Sequence, residues 1–307
     1  LVQNKHHSGL RFCWKVTNAE DGMLLREFLR DEKQISKRAL ADIKFSGGKL
    51  IVNDEEVTVR KPLLEGDEVI VQFPPETLSE AIVPMKLPFS IIYEDKHVLV
   101  INKAAHMATI PSREHPSHTL AHAVLCYYQE QGWQATFHAI NRLDKDTSGL
   151  LLVAKHRHAH ELFSRCQKNG LLERRYLAIV HGELEQDSGV IDAPIARKSE
   201  SIIERTVCKA GQHAITHYKV KERLNGATVV DVQLETGRTH QIRVHFSYLG
   251  HPLFGDSLYG GKRLDIERQA LHSHQLRFYH PFLEREMSFS APLPDDMERL
   301  LNRLKKA

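Results

Sequence analysis

The chain has little cysteine, and none of it is paired in sequence. Cys13, Cys126, Cys166 and Cys208 are scattered through 307 residues, with no C-x-x-C. Such spacing excludes a disulfide framework and a zinc ribbon, and four free thiols fit a reducing compartment, so the cytoplasm is the expected location. No apolar run approaches a membrane span, and the N-terminal stretch shows no h-region or cleavage site. A dominant charge is missing too: 42 Lys and Arg against 39 Asp and Glu leave only +3, which does not announce a nucleic-acid protein. There is no G-x-x-x-x-G-K-[ST] loop ("SGGKL" is not one) and no H-E-x-x-H. Histidine is plentiful, with 20 residues, and His156, His158 and His160 fall close together. A zinc site needs a third or fourth convergent ligand, which the spacing does not offer, so a polar helix surface is expected there and no metal.

What is present is ordinary for a globular protein: 41% apolar and 26% charged residues, enough to bury a core in one large or two unequal domains. Residues 1–15 have no clear pattern and read as an arm. From 16 to 75 the sequence has its own logic. Leu24, Leu25, Phe28 and Leu29 repeat at helical spacing. Ser36 can cap a second helix with Ala39, Leu40 and Ile43 on one side, ended by Gly47-Gly48. "KLIVNDEEVTV" and "EGDEVIVQF" then read as three short strands. Lys37, Arg38, Lys44 and Lys49 fall on that second helix and the turn after it.

A Pro-rich and polar linker follows over 76–86. From 87 to 307 strands dominate, with helices interspersed. "SIIYEDKHVLVINK" reads as a hairpin, 119–132 and 156–170 as helices ended by Gly, and "HAITHYKVKERLNGATVVDVQLETG" as a hairpin around Asn225-Gly226. "RTHQIRVHFSYLG" looks helical, and the chain closes on a helix with an acidic start and a basic end. No Gly-rich βαβ repeat occurs. The expected class is therefore α+β: a mixed, mainly antiparallel sheet with helices around it, behind a small N-terminal α+β unit.

"HAINRLDKDTSGLLLVAKH" (138–156) packs two carboxylates, two cations and a Gly directly before an apolar run. Asp-Lys-Asp-Thr-Ser-Gly alone is good turn chemistry. Its company changes the weight, because "LLERRYLAIVHGEL" and "ETGRTHQIRVHFSYLGHPLFGD" follow, each placing polar residues beside a strand or helix end. These three ordered motifs resemble those of the RluA-type pseudouridine synthases, and "IIYEDKHVLVINK" resembles that family's opening hairpin. The likeness covers about 87–307. The basic N-terminal unit resembles the S-four-like RNA-binding domain often fused to such enzymes.

The resemblance implies the pseudouridine synthase fold and an enzyme that isomerises uridine in structured RNA (rRNA or tRNA), as a monomer without cofactor, metal, membrane or obligatory protein partner. It makes Asp144 the catalytic aspartate, Tyr176 the active-site tyrosine and Arg243 the partner of the aspartate. It makes Arg142 the group that fills the space left by the flipped base, with Arg238, His240, Gln241 and Ile242 beside the substrate. Lys37, Arg38, Lys44 and Lys49 would meet RNA. The chemistry suits these types: the bond from ribose to N1 of uracil breaks, the base rotates, and ribose rejoins at C5. A carboxylate can act on the sugar or the base. An arginine favours its charged form, and a tyrosine can stack on uracil with its hydroxyl near the proton lost from C5.

Two departures from the family pattern stand out. Asn141 replaces the usual His before Arg-Leu-Asp, and "KAAHM" puts Ala104 and His106 where Pro and Gly are usual. Both are expected to alter the wall of the RNA cleft. Two other readings compete: a noncatalytic RNA-binding or ribosome-assembly factor of the same fold, and a hydrolase or nuclease using Asp144 and Asp146 with magnesium. The first would be expected to have lost one of Asp144, Tyr176 and Arg243. The second lacks further acids, and Arg243 would compete with the metal.

Overall fold

The computed structural model describes residues 10–76, 82–263 and 266–306. The N-terminal unit begins with strand β1 (Arg11–Lys15), continues through a helical turn α1 (Leu25–Glu27) that widens over Phe28–Glu32, and then helix α2 (Lys37–Phe45). Strands β2 (Lys49–Val52), β3 (Glu55–Glu56) and β4 (Glu68–Gln72) complete a sheet of order β1-β4-β2-β3. Ser36 caps α2 through its hydroxyl, which accepts from the Ala39 N–H, as its position before the apolar stripe suggests. Leu25, Phe28, Leu29, Ile35, Ala39 and Ile43 bury that stripe against Leu50, Val52, Val69 and Val71. The arm expected over 1–15 is corrected from Arg11 onward. Phe12 to Lys15 pair with β4, and alternation hidden in "RFCWK" turns Phe12 and Trp14 toward this core. Residues 1–9 lie outside the described chain.

The larger unit contains, in chain order, β5 (Ser90–Glu94), β6 (Val98–Lys103), α3 (Leu120–Glu130), β7 (His138–Ala139), β8 (Ser148–Ala154), α4 (Arg157–Lys168), β9 (Leu172–His181), β10 (Ser188–Asp192), β11 (Ile195–Arg197), β12 (Arg205–Val207), β13 (Ile215–Leu224), β14 (Ala227–Leu234), α5 (Gln241–Tyr248), β15 (Leu271–His280), β16 (Arg285–Ser290) and α6 (Asp295–Leu304). Its main sheet runs β10-β13-β14-β9-β15-β8-β6-β5, with β16 on β15 and β7 on β8. The β15–β8 pairing is parallel and the other ladders of this sheet, among the described residues, are antiparallel, so the mixed, mainly antiparallel α+β class holds.

The uninterrupted "SGLLLVA" is explained by position. β8 sits mid-sheet and every residue of it is buried. Leu151 and Val153 enter one core with α3, through Leu120, Val124 and Tyr128. Leu150, Leu152 and Ala154 enter the opposite core with α4, through Ala159 and Phe163. A strand covered on both faces has no place for a polar alternation, and each Leu so buried contributes about 1.5–3 kcal/mol. Gly149 is required where β8 meets β15: it holds φ +110°, and a Cβ there would lie 2.3 Å from the Ser273 carbonyl oxygen. α6 packs Met297 and Leu300 against Ile179 and Ala227, covering the sheet as its amphipathic pattern suggests.

The two units meet in an aromatic seam. The Phe12 ring lies parallel to those of Trp14, His97 and Phe282, and edge-on to Phe73, His156 and His158. His156 and His158 are therefore buried, which overturns the expected polar helix surface. His156 Nδ1 caps α4 by accepting from the Ala159 N–H at 3.0 Å, and its Nε2 lies 3.0 Å from His97 Nδ1. Segment 76–86 is pinned at its described ends. Glu76 accepts from the Thr136 N–H, the Thr136 hydroxyl, His138 Nε2 and the Arg157 N–H, all within 2.6–2.8 Å. Met85 N–H donates to the His122 carbonyl on α3.

Candidate active site

Asp144 stands in the turn before β8, closed by the Thr147 N–H donating to the Asp144 carbonyl. Three side chains hold the turn by its backbone oxygens. The Thr109 hydroxyl donates to the Leu143 carbonyl at 2.7 Å, Lys103 Nζ to the Lys145 carbonyl at 3.0 Å, and Arg268 Nη1 to the Asp146 carbonyl at 3.0 Å. Lys103 is buried and also donates to the carbonyls of Ala104 and Met107, which uses all three ammonium protons. Burial pulls Lys103 down to about 7, against the pull of Asp144 and Asp146. The polar crowding ahead of β8 thus has a mechanical reason: the chain leaves a fully buried strand and enters a turn whose carbonyls are individually clamped.

Arg243 comes from the first turns of α5. Its Nε and Nη2 donate to the two carboxylate oxygens of Asp256 at 2.7 and 2.8 Å, and its Nη1 donates to Asp144 Oδ2 at 3.1 Å. Its guanidinium also lies 5.0 Å from the centre of the Tyr259 ring. Burial opposes the charge on Arg243, but the hydrogen bonds to Asp256 and the charges of Asp144 and Asp256 outweigh it and raise its pKa. Bidentate pairing with Asp256 fixes the fork and aims the remaining nitrogen at Asp144. Tyr176, on β9 opposite Val232 and Ser273, is buried in the same core face as α3, and burial raises its hydroxyl pKa.

One open cleft is lined by Arg142, Asp144, Tyr176, Arg238, His240, Gln241, Ile242 and Arg243, together with Leu143, Thr147, Leu234 and Leu271. All eight residues singled out in the three motifs therefore converge on one place. They do not have equal freedom. Arg142 is exposed at the mouth and makes no hydrogen bond or ion pair with any described residue. Arg238 is exposed, with Nε donating to the His213 carbonyl. Gln241 is different: its Oε1 accepts from the Thr236 hydroxyl and the Arg238 N–H, and its Nε2 donates to the Ile215 carbonyl and the Thr216 hydroxyl. Its amide is spent on building the entrance to α5, while the residue itself lines the cleft. Ile242 is core.

The four basic residues of the N-terminal unit do not reach this cleft. Lys37, Arg38 and Lys44 are exposed on α2. Lys49 opens β2 rather than lying in the turn, and pairs with Glu56 at 3.4 Å. The two departures also resolve locally. Asn141 Oδ1 accepts from the Leu152 N–H at 2.9 Å, so it finishes the β8 edge and does not line the cleft. His106 takes the left-handed conformation at φ 65° and lies 2.9 Å from Asp146 Oδ1, on the outer side of the turn that carries Asp144. Asp256, Tyr259, Lys103, Thr109 and Arg268 were not singled out from sequence. Asp256 lay within the quoted "GHPLFGD", but only the fold reveals which cation it serves.

A family model described as RNA pseudouridylate synthase matches residues 97–248. The uncharacterized RNA pseudouridine synthase YjbO of Bacillus subtilis (strain 168) is 56% identical over 279 residues, covering 91% of this chain and 98% of that protein. Ribosomal large subunit pseudouridine synthase D of Vibrio cholerae serotype O1 is 39% identical, covering 81% of each. Among solved structures, human RNA Pseudouridylate Synthase Domain Containing 1 superposes with a TM-score of 0.56 at 26% identity, over 72% of this chain and 96% of that one. The fold is that of a pseudouridine synthase. The chain belongs to the RNA pseudouridylate synthase family and is an RNA-modifying isomerase.

Proposed function

We propose that this cleft isomerises a flipped uridine of large-subunit ribosomal RNA, with Asp144 as the catalytic carboxylate. The observation that carries the reading is the meeting of Asp144, Tyr176 and Arg243, from three separate segments, in one cleft, with Arg243 Nη1 on Asp144 Oδ2 at 3.1 Å. Arg243 balances the charge of Asp144 and holds one of its oxygens, leaving the other toward the nucleotide. Asp144 acts on the sugar or base as the N1 bond breaks. Tyr176 stacks on the freed uracil and stands near the C5 proton, which is lost as C5 joins ribose while N1 gains one. Arg142, unpartnered at the mouth, occupies the place of the extruded base, where a planar guanidinium can stack and hydrogen-bond. The choice of ribosomal RNA rests on the likeness to the Vibrio cholerae large-subunit enzyme.

The N-terminal unit, about residues 11–75, adds phosphate contacts through Lys37, Arg38 and Lys44, and the enzyme works as a cytoplasmic monomer without an obligate protein partner. The test is incubation of cellular RNA with the full chain in EDTA, followed by pseudouridine mapping. New pseudouridine in large-subunit RNA supports the reading. Pseudouridine confined to tRNA overturns the substrate. Strand cleavage that the chelator stops would instead reveal a nuclease, and binding without product a noncatalytic factor.

A further inference from the structure

His240 sits at the entrance to α5 in the left-handed conformation, φ 56° and ψ 18°. Few non-glycine residues hold this region without a reason in the surrounding structure. The strained backbone turns the imidazole into the catalytic cleft, where its two nitrogens face different partners. Nδ1 lies 2.8 Å from the Tyr259 hydroxyl. Nε2 lies 3.9 Å from Asp144 Oδ2, too far for a hydrogen bond but facing it. The Tyr259 oxygen in turn accepts from the backbone N–H of Arg205, on β12, at 2.9 Å.

This chain of contacts determines where the protons go. The Arg205 N–H can only donate, so the Tyr259 oxygen is an acceptor on that side. Its own proton then has one acceptor among the described residues, His240 Nδ1. The opposite tautomer, with the proton on Nδ1, would leave the phenol proton without a protein acceptor and turn the Nε2 lone pair toward the carboxylate of Asp144. Both consequences are unfavourable. We propose that Tyr259, braced by the β11–β12 hairpin through Arg205, is a positioning residue that fixes His240 as the neutral tautomer with its Nε2–H toward Asp144, ready to donate to an oxygen of the bound nucleotide.

The charges around His240 agree with a neutral ring. Asp144 from the catalytic turn and Asp256 beyond α5 favour its protonation, Arg243 from α5 and Arg205 from β12 oppose it, and burial, the largest influence, lowers its pKa. Burial also lifts the Tyr259 phenol to about 12, so it keeps the proton it must donate. The 3.9 Å gap between Nε2 and Asp144 leaves the imidazole N–H unspent until a nucleotide oxygen lies beside the carboxylate. The relay also joins the β11–β12 hairpin, which is outside the three motifs' catalytic residues, to the reacting centre by a single backbone N–H.

The inference rests on Asp144 being the catalytic carboxylate. Its test is separable, because a tautomer is read without turnover. Nitrogen-15 NMR of the full chain, with the His240 signal assigned by its loss in His240→Gln, reports which nitrogen bears the proton. Single-turnover kinetics against pH report its use. Tyr259→Phe keeps the ring beneath the Arg243 guanidinium and removes only the hydroxyl. The expected results are a wild-type proton on Nε2, and a mixture of tautomers in Tyr259→Phe. That variant should react about tenfold more slowly, the loss of one neutral hydrogen bond, and its rate should fall with acid at a higher pH than wild type, with RNA affinity unchanged. A proton on Nδ1 in wild type overturns the inference, even if the variant does not fold. So does a variant in which tautomer and rate do not change together. A normal rate in Asp144→Asn would instead remove the reading beneath it.

Discussion

The Nη1 atom of Arg243 lies 3.1 Å from Oδ2 of Asp144, while the rest of its guanidinium is held by another carboxylate. Asp144 is therefore a partly solvated carboxylate with one oxygen engaged and one side open to the cleft. Replacing it by Asn keeps size and a hydrogen-bonding oxygen but removes the negative charge and the nucleophilic or basic group. Asp144→Asn is expected to abolish single-turnover isomerisation while RNA affinity stays near wild type, because in the proposed function Asp144 meets the flipped nucleotide and not the phosphates. Filter binding and a product assay on the same preparation check this. A near-normal rate would sink the assignment.

Asp256 is the other half of that geometry. It is almost completely buried and supplies both oxygens to Arg243. Asp256→Ala leaves a buried guanidinium with only Asp144 as an anionic partner, and breaking a buried pair this way costs about 3–5 kcal/mol. The freed fork would also rotate toward Asp144. The expected outcome is a lower thermal midpoint together with a large loss of turnover, whereas Asp256→Asn, which keeps one acceptor, should lose less stability. Unfolding curves showing Asp256→Ala as stable as wild type would mean that Arg243 is held by something else.

Much of this was legible in the sequence, for physical reasons that differ by element. Ser36 before an apolar stripe announced α2, and Asn225-Gly226 announced the β13–β14 hairpin, because caps and tight turns are local. The unbroken "GLLLVA" announced an apolar run, which the fold shows as a strand buried on both faces. The converging motifs named Asp144, Tyr176 and Arg243. What stayed hidden depended on contacts distant in sequence. Phe12 looked like part of an arm, since five residues of alternation carry little signal until β4 pairs with them. His156 and His158 looked like a polar helix face because imidazole is polar by type, and only the opposing Phe12 and Phe73 make their site dry. Gln241 was expected beside the substrate, and nothing local announced that Ile215 and Thr216 on β13, together with Thr236 and the Arg238 N–H, consume its amide.

The seam gives a pH dependence with a definite sign. His158 is buried, its Nδ1 has no hydrogen-bond partner, and burial, with smaller contributions from the charges of Arg165 and His97, lowers its pKa from 6.5 to about 4. The folded state thus resists a proton that the unfolded state accepts. Stability is complete above the ordinary imidazole pKa and falls as pH drops from 6.5 toward 4, by about 1.4 kcal/mol per pH unit for one such group. His158→Leu removes the titrating ring but keeps an apolar filler. Its thermal midpoint should decline less than that of wild type between pH 8 and pH 5. Parallel declines would place the acid sensitivity elsewhere, with His97, which burial also lowers to about 4, the next to vary.

Deleting residues 1–80 should leave a folded and partly active remainder, since the two cores on either face of β8 draw on residues beyond the cut. The deletion also strips Phe12, Phe73 and Glu76 from the seam and bares His97 and Phe282, so the truncated chain should be less soluble. If Lys37, Arg38 and Lys44 meet phosphates, the full chain should lose RNA affinity more steeply with salt, its log–log slope exceeding that of the truncated chain by about 2–3. Lys49, already paired with Glu56, should add little. Equal slopes would mean that the N-terminal unit serves something other than RNA.

Arg142 separates a stacking role from a charge role. It is exposed at the mouth of the cleft and binds no described residue, so its side chain is free to enter a helix when a base leaves it. If it replaces the extruded base, its work is finished before chemistry begins. Arg142→Ala should then lose the stacking and hydrogen bonds that offset the unstacking cost, on the order of a few kcal/mol. The defect should be large for a uridine held in a stem and smaller for the same uridine in an unpaired strand. A purely electrostatic role would behave otherwise: Arg142→Lys would restore most activity, and pairing would not matter. Single-turnover kinetics of wild type, Arg142→Ala and Arg142→Lys on paired and unpaired forms of one substrate distinguish the two. A penalty that is equal on both RNAs removes Arg142 from base flipping and leaves it as a phosphate contact.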